Sequence, residues 1–108
     1  MKIALASDHA GFGLKKDISA WLKEQGYQIL DFGAFSEDSV DYPDYAFPAS
    51  EAVAGGIADL GVLVCGSGTG MSITANKVTG IRAANCLMPE MAKLAREHNN
   101  ANILCLGS

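Results

Sequence analysis

The sequence predicts an α/β domain, a doubly wound, Rossmann-like parallel sheet of five strands with helices on both faces. Three observations carry this reading. Apolar runs of six or seven residues alternate with segments whose apolar residues recur at helical spacing. Glycine, twelve times in 108 residues, clusters where one kind of segment gives way to the other. The strand-like runs return at intervals of roughly 20 to 30 residues, the spacing of βαβ units. The length suits one domain, residues 1–108.

Each element has its own signal. The run 2-KIALAS-7 is the first strand, closed by Asp8-His9 and then Gly11 and Gly13. Leu14, Ile18, Trp21, Leu22 and Gln25 follow at helical spacing up to Gly26. The second strand is 27-YQILDFG-33. The segment 36-SEDSVDYPDYAF-47 reads as a loop whose irregularity Pro43 and Pro48 mark, and 49-ASEAVAGG-56 as a helix ending on a glycine pair. The third strand, 59-DLGVLVC-65, leads through a glycine-rich turn to a short helix, 71-MSITANKV-78. The fourth is 81-IRAANC-86. Pro89 suits the first turn of a helix over 89–98, and 102-NILCLG-107 is the fifth strand. The expected strand order is 2-1-3-4-5, which puts a crevice between the carboxyl ends of strands one and three. Those ends carry Asp8-His9 and Cys65-Gly66-Ser67. No helix follows strand five in this sequence, so one flank of the sheet is expected bare unless another chain covers it. That points to an oligomer.

Composition excludes several classes. The net charge is −4 and the eight basic residues are scattered, which argues against nucleic acid or an anionic membrane as partner. No apolar segment reaches the ~18 residues of a membrane span. The N-terminus lacks the pattern of a cleavable signal, since Asp8 and His9 interrupt it at once. Three cysteines, none in a C-x-x-C pair, predict reduced thiols in a cytoplasm rather than a disulfide or zinc framework.

The chemistry concentrates in 65-CGSGTG-70. Glycines let a backbone approach a ligand, and the helix that follows offers unpaired N–H groups, so the loop suits phosphate, carboxylate or a developing oxyanion. It lacks the Lys of a Walker loop, and Met71 stands where a dinucleotide fingerprint needs its third glycine. Cys65, at a strand end just ahead of a helix, is either a buried apolar residue or a thiolate base or nucleophile. A phosphatase loop would require arginine at position 71. Cys86 and Cys105 read as buried thiols. Asp8 suits a helix cap or a contact to sugar hydroxyls, and His9 packing or the same contact. His98, closing the last helix, is favoured there by the helix dipole and also titrates where a proton shuttle must.

Together, 7-SDHAGFGLK-15, 41-DYPDYA-46, 65-CGSGTGMSITANK-77, 80-GIRAANC-86 and 97-EHNNANILCLGS-108 resemble the ribose-5-phosphate isomerase B family. They also resemble its relatives that act on allose and galactose 6-phosphates, and the resemblance spans Met1 to Ser108. It implies an aldose–ketose isomerase, independent of metal and cofactor, acting on a sugar phosphate as a homodimer or dimer of dimers. Cys65 matches the base that moves a proton between C1 and C2 through an enediolate. The backbone of Gly66, Ser67, Gly68, Thr69 and Gly70 matches the anion hole, with Ser67 as its hydroxyl residue. His98 matches the acid that opens the sugar ring, assisted by Asp8, while His9, Tyr42 and Asn99 match substrate contacts. Met71 occupies the position where another branch carries a glutamate base, which puts this chain on the cysteine branch. Family members continue beyond 106-LGS-108 with a segment bearing phosphate-gripping arginines. Lys15, Arg82 and Arg96 are the cations left to consider here.

Three alternatives stand beside this reading. One is an isomerase of a hexose 6-phosphate, and another is a sugar-phosphate-binding protein without catalysis. The third is a nucleotide-dependent oxidoreductase, with Asp31 about 20 residues after Gly11 but Lys16 in place of a glycine. A zinc site from Asp8, Cys65 and His98 is conceivable on ligand type alone.

Overall fold

The computed structural model describes residues Met1–Ser108. The elements run β1 (Lys2–Ser7), α1 (Phe12–Glu24), β2 (Gln28–Asp31), α2 (Pro43–Ala54), β3 (Leu60–Cys65), α3 (Thr69–Ala75), β4 (Ala83–Asn85), α4 (Pro89–Asn99) and β5 (Ile103–Gly107). All strand pairs are parallel, as expected of alternating βα units.

The strand order is β2-β1-β3-β5-β4, which corrects the expected 2-1-3-4-5. Burial explains the exchange. In β5, Ile103 and Cys105 are buried and Leu104 and Leu106 half-buried, so both faces of the strand are apolar and an interior position suits it. β4 is three half-buried residues between exposed Arg82 and buried Cys86, a short strand of the kind that edges a sheet. The crevice survives this change, because chain connections still diverge on either side of the β1–β3 pair.

α2 also departs from expectation. It begins at Pro43, inside the segment read as a loop, and Pro48 lies within it. Pro43 costs nothing at the first helical position, whose N–H has no partner in any helix. Pro48 removes one backbone hydrogen bond, at a cost of about 3 kcal/mol in a helix interior. Ala46, Ala49, Ser50 and Val53 offset it by burying one continuous helical stripe.

The two faces of the sheet are packed unequally. Under α2 and α3 lies the main core, including Ala4, Ala6, Leu63, Met71, Ile103 and Cys105. Small residues on β1 let α2 come close. The opposite face has only Ile3, Leu5 and Leu22 fully packed, beneath α1. α4 contributes no buried residue. Between α1 and α4 runs an apolar groove of about 330 Å³, with Leu60, Val62 and Leu104 in its lining. No helix is long and apolar enough to cross a membrane.

Cys105 is fully buried in β5, and its thiol is pushed up from 9.0 to about 12, first by burial and then by charge at Cys65 and Cys86. The unfolded chain therefore releases this proton near pH 9 while the folded chain keeps it. The contribution to stability is complete below pH 9 and drains away as pH rises toward 12, at about 1.4 kcal/mol per pH unit. Urea midpoints between pH 8 and 11 should fall more steeply for the wild type than for Cys105→Ala. Parallel slopes would contradict this account of Cys105.

Candidate active site

β1 and β3 lie side by side with Ser7 opposite Val64, so the residues leaving their carboxyl ends share one crevice. The Asp8 N–H donates to the Val64 carbonyl at 3.2 Å, which ties the first turn to the third strand. A Cβ added to Gly11 would lie 2.5 Å from that same carbonyl oxygen, so only glycine permits this approach. Asp8 is 8% exposed, and its Oδ1 accepts the Gly11 N–H at 3.0 Å. His9 is half-buried and accepts the Val40 N–H at Nδ1, 3.1 Å away. The neutral ring therefore carries its proton on Nε2, leaving that nitrogen as a donor.

Cys65 ends β3, 5% exposed. Its carbonyl accepts the Ser108 N–H at 2.9 Å, and its sulfur accepts the Gly68 N–H at 3.1 Å. Gly68 makes that bond possible by turning the chain through φ +81, where a Cβ would strike the Asn85 side chain. The Ser67 hydroxyl accepts the Thr69 N–H at 3.2 Å, which leaves its proton free to donate outward. Gly70 sits under the Tyr42 ring, 2.8 Å from where its Cβ would stand. The N–H groups of Gly66, Ser67, Gly70 and Met71 find no acceptor within the chain. Several donors at a helix start beside one sulfur form a place where negative charge is stabilised without a cation.

The structure thus gathers Asp8, His9, Tyr42, Cys65 and the loop Gly66, Ser67, Gly68, Thr69, Gly70 around one crevice. It does not bring His98 and Asn99 there within a single chain. α4 runs back along the sheet, so both lie exposed just before the start of β5, whereas Cys65 is level with its last residue, Gly107. Five residues of strand separate the two ends by about 13 Å. Within one chain Asp8, Cys65 and His98 are not brought together either, and no three His, Cys, Asp or Glu side chains form a cluster that could hold a metal ion.

The cations singled out from sequence are all engaged elsewhere. Lys15 is buried against Asp31. Arg82 donates to the Asn99 carbonyl, and Arg96 to Asn100 and Ala101, at the α4 end of the sheet. Sequence reasoning missed Asn85, whose amide reaches the Ser67 carbonyl and Thr69 hydroxyl at 3.4 Å each from beneath the loop. A lone amide in the apolar run 83-AANC-86 was the available signal.

Comparison with known proteins shows the family. A family model described as Ribose/Galactose Isomerase matches residues 3–108. Ribose-5-phosphate isomerase B of Escherichia coli is 50% identical over 107 residues, covering 99% of this chain and 72% of its own length. Among solved structures, ribose-5-phosphate isomerase B of Clostridium thermocellum superposes with a TM-score of 0.99 at 53% identity, over all of this chain and 73% of that one. The Mycoplasma genitalium enzyme, solved with bound ribulose-5-phosphate, gives 0.93 at 44% identity, over 98% of this chain and 71% of that one. A match along nearly the whole sequence, to proteins of the same fold, leaves one conclusion: the chain belongs to the ribose/galactose isomerase family.

Proposed function

We propose that this protein interconverts ribose 5-phosphate and ribulose 5-phosphate by proton transfer, with Cys65 as the base. The observation that carries the proposal is the surrounding of one sulfur. Cys65 ends a strand beside four backbone N–H groups that have no acceptor in the chain, in a member of an isomerase family.

The chemistry follows from the donors. A C–H beside a carbonyl is a weak acid, so the enediolate oxygens need fixed partners as charge develops; each such donor contributes about 3 kcal/mol in the transition state. The Cys65 thiolate removes the proton from C2 of the open aldose. The N–H groups of Gly66, Ser67 and Gly70, with the Ser67 hydroxyl, hold the resulting oxyanion, and Cys65 returns the proton to C1 while the hydroxyl proton passes from O2 to O1. His9, donating from Nε2, together with Asp8 and Tyr42, orients the sugar hydroxyls.

Ring opening is assigned to His98, with Asp8 assisting and Asn99 beside it on the substrate. Because both α4 residues lie at the far end of their own sheet, this role requires a second copy of the chain. In a two-fold dimer, α4 of each copy then completes the crevice of the other. The free thiols Cys65, Cys86 and Cys105 favour a reducing compartment, the cytoplasm.

Three outcomes are expected. Cys65→Ala should lower kcat for ribose 5-phosphate by at least about 100-fold while the fold is retained, and wild-type activity should survive strong chelation. A fully active Cys65→Ala protein would remove the cysteine base. Conversion of allose or galactose 6-phosphate with none of ribose 5-phosphate would keep the reaction and change the substrate. Binding of sugar phosphates without turnover would leave a binding protein. Specific activity should also fall on dilution through the range where sedimentation shows dimers separating. Undiminished activity from a monomer would refute the shared site.

A further inference from the structure

Lys15 is the most deeply buried charged side chain in the molecule, 2% exposed, yet it touches no residue assigned to the reaction. Its ammonium has three N–H donors and three close acceptors: Asp31 Oδ1 at 2.7 Å, Asp31 Oδ2 at 2.9 Å and the Ala34 carbonyl at 2.6 Å. The Phe35 and Phe12 rings flank it at 5.0 and 5.7 Å. Asp31 Oδ1 also accepts the Gly33 N–H at 2.9 Å. One ion pair thus grips the chain on both sides of Gly33.

That grip is passed to the crevice. The Gly33 carbonyl accepts the Ser7 N–H at 2.6 Å, and the Ala34 N–H donates to the Ser7 carbonyl at 2.7 Å. Ser7 is the last residue of β1, and Asp8 and His9 follow it directly. Farther along the same segment, the Val40 N–H donates to His9 Nδ1, and Tyr42 lays its ring over Gly70. Gly33 itself lies against Tyr45, where a Cβ would stand 2.7 Å from the ring.

We infer that Lys15 and Asp31 are a positioning pair: they fix the segment from Phe32 to Tyr42, and through it set the tautomer and place of His9 and the place of Tyr42 in the substrate crevice. The inference rests on the isomerase reading for its kinetic consequence alone. Lys15 is buried while the Asp31 side chain stays 34% exposed, so the desolvation cost falls on the lysine, and the three bonds that compensate it are the ones that hold this segment.

The test is the double variant Lys15→Met/Asp31→Leu, which removes both charges together and leaves no unpaired one behind. Its circular dichroism should match the wild type. Its kcat/KM for ribose 5-phosphate should fall on the order of tenfold to a hundredfold, most of it in KM, since substrate contacts and not the base have moved. In the wild type, ¹⁵N shifts of the His9 ring should report an unprotonated Nδ1; in the variant they should move toward a mixture of tautomers. A folded variant with wild-type KM and wild-type His9 shifts would overturn the inference. Should the double variant fail to fold, Asp31→Asn keeps the volume and weakens the grip, and the same two readouts decide. The nitrogen shifts need no turnover, so they judge the positioning pair even if ribose 5-phosphate is not the substrate.

Discussion

Everything at this site depends on the parallel register of β1 and β3. Ser7 faces Val64, so two chain segments that are far apart in sequence leave the sheet at the same level and side by side. One delivers Asp8 and His9, the other Cys65 and the glycine loop. Gly11 permits the contact, since any side chain there would meet the Val64 backbone. From that register follows a small space bounded by an acceptor, a donor, a thiol and several unpaired N–H groups. The thiol and the unpaired N–H groups come from seven consecutive residues, Cys65 to Met71, so one short loop concentrates them.

Much of this was legible in the sequence, for physical reasons. A strand buried on both faces reads as an apolar run, and 59-DLGVLVC-65 could hardly be anything else. Glycines that serve close approach or a positive φ, such as Gly11 and Gly68, cannot be traded for other residues and so stand out. Strand order was less legible, because order is decided by which strand can bear an edge. The polar content of 81-IRAANC-86 against 102-NILCLG-107 held that information, but only as a comparison between two strands. α2 was hidden because two prolines outweigh, in local reasoning, a buried stripe whose value comes from the sheet beneath it. Asn85 and Lys15 were hidden for a related reason. Their partners, Ser67, Thr69, Asp31 and Ala34, lie 16 or more residues away.

The two faces of the sheet are packed unequally. The face under α2 and α3 is well filled and supports the glycine loop through Met71 and Cys105. The other face is open between α1 and α4, and α4 buries none of its side chains. That helix carries His98 and Asn99 at an exposed end. Under the proposed roles, the crevice of a single chain holds Cys65 without His98, and the imidazole has to come from a second copy.

Mixing two inactive proteins tests this directly. Cys65→Ala keeps its own His98, and His98→Ala keeps its own Cys65. After co-refolding in equal amounts, half of the dimers are mixed, and each mixed dimer contains one crevice with both residues intact. The account predicts recovery of about a quarter of wild-type activity in ribose 5-phosphate isomerisation. No recovery, from mixed dimers shown to form, would contradict a site shared between two copies and return His98 to its own chain or to no role in the reaction.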